Sequence, residues 1–113
     1  MGNRAFIQID STQFDLPVLL YGHYSGDDNL TAVQNVLART GRIGDPSYLT
    51  AQLFYEFAIV QAQYDGELGF GISSGVLSSK DWQDAPAVYV NADTGEYKCD
   101  GVVYDEYAKL SLP

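Results

Sequence analysis

The sequence feature that most constrains the fold is the apolar stretch over residues 45–64, DPSYLTAQLFYEFAIVQAQY. Asp45 can accept hydrogen bonds from the free amides of a helix start, and Pro46 suits the first helical position. Apolar side chains spread over most of the helical circumference, which predicts a largely buried helix that ends at Asp65-Gly66. Its polar residues form one narrow stripe that reaches water: Gln52, Glu56 and Gln63.

Around this helix the hydrophobic pattern predicts five strands and one further helix in a single domain over residues 1–113. Strands are expected at 5–10, 16–21, 67–73, 87–92 and 96–104, and the first helix at 30–40. The order ββααβββ predicts an α+β fold with one antiparallel sheet of about five strands packed on two consecutive helices. Residues 74–86 are expected to be a loop whose Leu77 and Trp82 side chains pack on the core. A last segment is expected to pack on the core through Tyr107, Leu110 and Leu112.

The charge balance narrows the classes of partner. Fifteen acidic residues against six basic ones leave a formal net charge of -9, which opposes binding to phosphate backbones and argues against general DNA or RNA binding. The same field permits a basic protein partner, or it serves only to keep the protein soluble. A single cysteine forms no internal disulfide, the amino terminus lacks a signal-peptide layout, and no apolar run is long enough to span a membrane. We therefore expect a cytoplasmic protein.

Catalytic and metal sites find little support in the residue pattern. His23 is the only histidine, and Tyr21, Ser25 and Asp27 nearby could assist it as a general base, but no nucleophile-elbow motif is present. A hydrogen-bonded structural histidine at a strand end is the simpler interpretation. One histidine and one cysteine cannot supply a usual zinc set, and the turn at residues 91–95 explains what little resembles a calcium loop. We predict no catalytic residue, no metal and no cofactor.

A small-molecule site is predicted where the first two strands meet. Arg4 opens the first strand and His23-Tyr24 follows the second, so an antiparallel hairpin would place them at the same edge of the sheet. The guanidinium could hold a phosphate while a phenol ring stacks on a base. Asn3 lies beside Arg4, and Tyr48 could complete the wall at the start of the long helix. The competing interpretation is that Arg4 pairs with Asp27 or Asp28.

Several short motifs carry a resemblance. The start MGNRA, the step His23-Tyr24-Ser25-Gly26, the helix opening at 45–48 and the segments GELGFGI and DAPAVYV are similar to a set of small phage and prophage proteins. Those proteins begin MGNRAV and carry a His-aromatic-Asn-Gly-Gly step after the second strand. This sequence has Ser25 where Asn is usual and Asp27 where a second Gly is usual. The resemblance implies a viral setting and draws attention to one group of residues: Asn3, Arg4, His23, Tyr24, Gly26 and Tyr48.

Together these features favour a non-enzymatic binding protein in the cytoplasm of a host cell. In a phage setting, it would be a counter-defence protein that sequesters a small nucleotide immune signal. One alternative is an acidic inhibitor that mimics nucleic acid on a host nuclease complex. Another is a structural or assembly protein of a phage. The surplus of tyrosine and apolar residues, including Phe14, Trp82 and Tyr107, further predicts a homo-oligomer, most simply a dimer.

Overall fold

The computed structural model describes residues 4–22, 26–64, 70–74 and 85–108, which form an α+β fold. Its two helices are α1 (Asn29–Arg39), preceded by a short 3-10 helix (Gly26–Asp28), and α2 (Pro46–Tyr64). Its strands are β1 (Ala5–Asp10), β2 (Val18–Gly22), β3 (Phe70–Ser74), β4 (Val88–Asn91), β5 (Tyr97–Cys99) and β6 (Val102–Tyr104). They form one open, mixed, six-stranded sheet in the order β3-β2-β1-β4-β5-β6.

The central strand is β1, which is buried on both faces of the sheet. On one side it pairs antiparallel with β2, through Ile7 and Leu20, as the predicted hairpin requires. On the other side it pairs parallel with β4, through Ile7 and Val88. The prediction of an all-antiparallel sheet is therefore wrong. Two parallel strands need a long crossover connection, and here the chain between β1 and β4, which contains β2, both helices and β3, provides it. The hydrophobic pattern of the strands does not indicate this pairing.

The sheet has six strands, where about five were predicted, and the additional strand lies in the carboxyl-terminal part of the chain. The turn at Asp93-Thr94-Gly95 between β4 and β5 is confirmed: Gly95 N donates to Asn91 O at 2.8 Å. The single strand expected over residues 96–104 is instead two, because Asp100 and Gly101 turn the chain back with φ values of 52° and 79°. Two successive left-handed residues form the tight hairpin turn that an Asp-Gly pair favours. The observed strand-and-helix order is thus ββααββββ.

Both helices pack on one face of the sheet. The helix predicted at 30–40 is confirmed as α1, and one apolar stripe faces the sheet: Val33, Val36 and Leu37 are buried, and Leu30 is half-buried against the same core. From α2 the side chains at four-residue spacing point inward: Leu49, Leu53, Phe57 and Gln61, each at most 1% exposed. They meet strand residues of the inner sheet face, among them Ile7, Ile9, Leu20, Val88 and Val90.

The opposite face of α2 is exposed, which corrects the expectation of a helix buried all round. Tyr48 is 58% exposed, Tyr55 66% and Ile59 41%, and Ala51 and Ala62 are exposed with them. At 100° per residue these five positions fall within an arc of about 80° directly opposite the buried face. We call them the outer stripe of α2. An apolar helix of this kind is normally covered by other elements, but among the described residues none covers this face.

The polar residues of α2 match the expectation of a water-facing stripe only at Gln63, which is exposed. Gln52 and Glu56 are half-buried and contact the end of α1, where Gln52 bonds Thr40 and Glu56 bonds Arg39. They lie on the flank of α2 that joins the two helices rather than on a stripe facing water. Several predictions fall on residues outside the described ranges. These are the helix end at Asp65-Gly66 and the core contacts of Leu77, Trp82, Leu110 and Leu112.

The face of the sheet away from the helices carries a smaller apolar cluster. Phe6, Leu19 and Ala87 are buried there, and Tyr21 and Tyr89 pack against them. Gly71, on the facing strand, lies under the Tyr21 ring, so that an added Cβ would come within 2.6 Å of the phenol oxygen. Glycine in β3 thus permits the close approach of a neighbouring side chain. No helix in the described part of the chain is both long enough and apolar enough to cross a membrane.

Candidate functional site

The structure describes part of the predicted site at the sheet edge. Arg4 directly precedes β1 and is half-buried, and its carbonyl oxygen accepts a hydrogen bond from Ala85 N at 3.1 Å. Ala5 pairs with Gly22, so the start of β1 does lie beside the end of β2. Asn3, His23 and Tyr24 lie outside the described residues. Their grouping with Arg4 stays a prediction.

Tyr48 does not join this edge. The turn before α2 is anchored at the other end of the sheet, where Gly44 N donates to Ala92 O and Ala92 N donates to Asp10 O, both at 2.8 Å. Asp10 ends β1, whose six residues span about 20 Å. Since Arg4 and Tyr48 lie at opposite ends of the strand, Tyr48 cannot form a wall of the Arg4 site, and that part of the prediction is corrected.

Gln61 is the α2 residue that reaches the Arg4 edge. Its side chain is 1% exposed and lies against Gly22, where an added Cβ would come within 2.6 Å of its Cδ atom. Glycine at the end of β2 is therefore what lets the long helix approach the strand. Sequence reasoning assigned no role to Gln61, although its spacing of four from Phe57 places it on the buried face of the helix.

Tyr48 instead borders an open cleft between the carboxyl end of α1 and the first half of α2. We call this the α1–α2 cleft. Its volume is about 460 Å3, within the range of about 300–1,000 Å3 that small-molecule sites occupy. Its wall is formed by residues of both helices and the short link between them: Arg39, Thr40, Gly41, Tyr48, Ala51, Gln52 and Tyr55.

Thr40 organises the polar part of this cleft. Its hydroxyl donates to the side-chain oxygen of Gln52 and accepts a hydrogen bond from Arg42 N at 3.0 Å. These bonds fix the end of α1 to α2 and hold the link between them in one conformation. They use the oxygen of the Gln52 amide and leave its nitrogen as a donor at the cleft.

Two arginines and two tyrosines give the cleft its chemical character. The Arg42 guanidinium carbon lies 4.3 Å from the centre of the Tyr48 ring, a cation–π contact. Arg42 also contacts Asp45 at 3.4 Å, and Arg39 pairs with Glu56 at 2.8 Å. Both arginine side chains are about half exposed, at 50% and 53%. Since a guanidinium carries five donors, each arginine keeps donors for a ligand while its carboxylate partner orients it.

Sequence reasoning identified Tyr48 but missed Arg39, Arg42, Gln52 and Tyr55. A signal for them was present. Two consecutive helices with a short link pack antiparallel, so the last turn of the first helix must lie beside the first turns of the second. Arg39 ends the first helix and Arg42 lies in the link, and the first two turns of α2 carry Tyr48 and Gln52.

A second, smaller cleft of about 270 Å3 lies near the start of α1. Asp27, Cys99 and Asp100 contribute to its wall, so it is acidic. Burial raises the pKa of the Cys99 thiol, and the Asp100 carboxylate raises it further. A thiol held protonated in this way is a poor nucleophile. Among the described residues, no group of three or more His, Cys, Asp or Glu side chains could hold a metal ion.

Asp93 makes the densest set of hydrogen bonds outside the α1–α2 cleft. Its carboxylate accepts from Ser11 Oγ at 2.7 Å, Thr12 N at 2.8 Å and Thr12 Oγ1 at 2.9 Å. The Thr12 amide, followed by the Ser11 hydroxyl, lowers the pKa of this carboxyl below its usual value of 3.8. The bonds tie the β1–β2 connection to the β4–β5 turn. By joining two turns that are far apart in the sequence, the cluster stabilises the fold.

The α1–α2 cleft is thus the best candidate site among the described residues, on the strength of its size and its convergent arginine and tyrosine side chains. No protein-family model matches the chain, and no curated protein or solved structure matches it either.

Proposed function

We propose that this protein is a non-enzymatic binding protein that holds a small nucleotide in the α1–α2 cleft. The observation that carries the proposal is the placement of Arg42 over the Tyr48 ring beside Arg39 and Tyr55. Arginine binds phosphate through two parallel hydrogen bonds, and a tyrosine face stacks on a base. Both kinds of contact that a nucleotide needs are therefore available within one cleft.

The overall charge is -9, and both arginines near the cleft are paired, Arg39 with Glu56 and Arg42 with Asp45, so an anionic ligand would be held by the donors that each guanidinium keeps and not by net positive charge. Only six residues of the chain are basic; of these, Arg39 lines the cleft, and Arg42 contacts Tyr48, which lines it. The described residues that line it include no carboxylate, no histidine and no cysteine. The lining can thus donate to a phosphate, and the hydroxyl groups that it contains, on Thr40, Tyr48 and Tyr55, have no histidine or carboxylate among the described lining residues to activate them. Binding without turnover is the activity that these side chains support.

The biological setting follows from the resemblance to small phage and prophage proteins. In an infected cell, a protein that binds a nucleotide without consuming it lowers the free concentration of that nucleotide. We propose that the ligand is a nucleotide immune signal of the host and that the protein acts by sequestering it. The proposal moves the ligand contacts from the Arg4 edge to the cleft that contains Tyr48.

The proposal is tested by measuring the melting temperature and binding heat of the protein with a panel of mononucleotides and cyclic oligonucleotides. At least one member should bind the wild-type protein. Arg42→Gln and Tyr48→Ala should each weaken that binding tenfold or more, a loss of about 1.4 kcal/mol or greater. Both side chains are largely exposed, so the fold should survive either change.

Lys98 offers a matched control. Its ammonium lies 5.6 Å from the centre of the Tyr89 ring, so Lys98→Gln removes one positive charge from a similar cation–tyrosine pair outside the cleft. This variant should bind like the wild-type protein. If it loses affinity as much as Arg42→Gln does, the effect is one of overall charge. If no member of the panel binds the wild-type protein, the proposal fails.

Exposed carboxylates favour a second candidate function, that of an acidic inhibitor of a nucleic-acid-binding host protein. Asp100, Asp105 and Glu106 are all exposed and lie close together in the sequence, at the β5–β6 turn and just after β6. Such a surface would attract the basic groove of a nuclease complex. This function does not involve the α1–α2 cleft, so variants of Arg42 and Tyr48 should leave it unaffected.

A further inference from the structure

We infer that the outer stripe of α2 binds the same stripe of a second copy of this chain, in an antiparallel pair related by a two-fold axis. The inference does not depend on the proposed ligand. It rests on the exposure of an apolar helix face, on the order of large and small residues along that face, and on the distribution of charge around it.

The stripe is complementary to itself. If the two-fold axis passes beside Tyr55, a residue a given number of positions before Tyr55 in one helix faces the residue the same number of positions after Tyr55 in the other. Tyr48 then faces Ala62 of the second copy, Ala51 faces Ile59, and the two Tyr55 rings face each other. Away from the axis every large side chain meets an alanine, which lets the helices approach closely there, and at the axis the two Tyr55 rings pack against each other.

The local charge permits this approach. The outer stripe contains no charged residue, and its charged neighbours are balanced, with Arg39 paired to Glu56 and Arg42 paired to Asp45. The excess of acidic residues therefore lies elsewhere on the molecule. A strongly basic partner would find little to attract it here, whereas two copies can meet without placing like charges in contact. An isologous pair is also the commonest closed assembly.

The size of the contact sets its strength. From Tyr48 to Ala62 the helix rises about 21 Å, and a single helix face of that length buries on the order of 400 Å2 on each copy, half of a standard interface. We therefore expect a reversible dimer with a micromolar or weaker dissociation constant. In it, Ile59 and Ala62 of the second copy lie over the outer rim of the α1–α2 cleft and narrow its opening.

Sedimentation equilibrium of the protein without ligand tests the inference across a series of concentrations up to the high micromolar range. The mass should rise from 12.4 kDa toward twice that value. The association should tighten as salt is raised, because salt screens repulsion between molecules of charge -9 over distances beyond about 8 Å. Apolar contact is not screened, so the salt response distinguishes this dimer from a charge-driven one.

Two variants locate the contact. Tyr55→Asp places two like charges at the two-fold axis and should keep the protein monomeric at every concentration. Ile72→Asp adds the same charge to an equally exposed apolar residue, 57% exposed on the edge strand β3, and should leave dimerisation within twofold of wild type. Circular dichroism should confirm that both variants fold.

Three results would overturn the inference. They are a wild-type protein that stays at 12.4 kDa throughout, an association that weakens as salt rises, and a dimer that survives Tyr55→Asp but is lost in Ile72→Asp. The last result would place the contact at the sheet edge. Because no ligand is present, failure here leaves the nucleotide proposal standing, and failure of the nucleotide panel leaves this inference standing.

Discussion

A pair of substitutions in α2 distinguishes its buried face from its outer stripe. Leu53 is 1% exposed and lies in the core, whereas Tyr55, two residues later, is 66% exposed. Replacing Leu53 with alanine removes buried carbon atoms and leaves a cavity, which costs about 3 kcal/mol. Replacing Tyr55 with alanine removes little buried area and slightly improves helix propensity, so the change in stability should stay within about 0.5 kcal/mol.

These free energies convert into melting temperatures. A domain of 113 residues unfolds with an entropy of about 0.24 kcal/mol/K, so each kcal/mol shifts the melting temperature by about 4 °C. Leu53→Ala should therefore lower it by about 12 °C and Tyr55→Ala by no more than about 2 °C. The assay is thermal unfolding followed by circular dichroism, in dilute solution where dimers dissociate, with urea midpoints as an independent measure.

Concentration supplies the second half of this prediction. The wild-type melting temperature should rise when the protein is concentrated, because a dimer formed only by the folded state stabilises it. In Tyr55→Ala that rise should disappear, whereas in Leu53→Ala it should persist from a lower starting point. A loss from Tyr55→Ala comparable to that from Leu53→Ala in dilute solution would mean that the outer stripe is buried, and would refute the assignment of one buried and one exposed face to α2.

The remaining predictions concern Asp93 and the acidic surface. Asp93→Asn should lower stability at neutral pH by about 1 kcal/mol, a value reduced from that of buried charged hydrogen bonds because the cluster is partly exposed. Because folding lowers the pKa of Asp93, the stability that its carboxylate contributes is present above the usual pKa of 3.8 and is lost as the pH falls through the folded-state pKa. The unfolding free energies of the two proteins, measured by urea titration, should therefore converge below pH 3.8. A difference that stays constant over this pH range would contradict the prediction. Changing Asp100, Asp105 and Glu106 together to amides should weaken binding to any basic host partner and flatten its salt dependence; unchanged binding would show that these acids only solubilise the protein.

The sequence predicted the local elements well because their signals are local. Pro46 marks the start of α2, and Asp93-Thr94-Gly95 forms the turn between β4 and β5. Each of these depends on the conformational preferences of a few adjacent residues. The Asp100-Gly101 turn was equally local, and it was missed because the apolar residues on either side suggested one continuous strand.

Long-range arrangement was harder to predict. The parallel pairing of β1 with β4 joins residues about eighty positions apart, and nothing in either strand specifies the direction of its partner. The same limit applies to α2. Its apolar composition predicted burial on most sides, whereas the described residues cover one face and leave the outer stripe exposed.

The candidate site was predicted only in part for the same reason. Tyr48 was identified from its place at the start of the long helix and from the resemblance, which grouped it with Arg4, but neither observation specifies which end of the sheet that helix start lies against. The direction of α2 decides the matter. It runs opposite in sense to β1, which brings Gln61 to Gly22 and leaves Tyr48 near Asp10.

The central claim, that the α1–α2 cleft is where this protein binds its ligand, is tested most directly by mapping NMR chemical shifts. Backbone amide signals of the labelled protein would be followed while the best member of the nucleotide panel is added. Thr40, Gly41, Tyr48 and Gln52 should shift progressively and saturate together, while Ala5 and Gly22 at the opposite end of the sheet should stay in place. Saturable shifts confined to Ala5 and Gly22, with the cleft signals unmoved, would place the site at the Arg4 edge and contradict the claim.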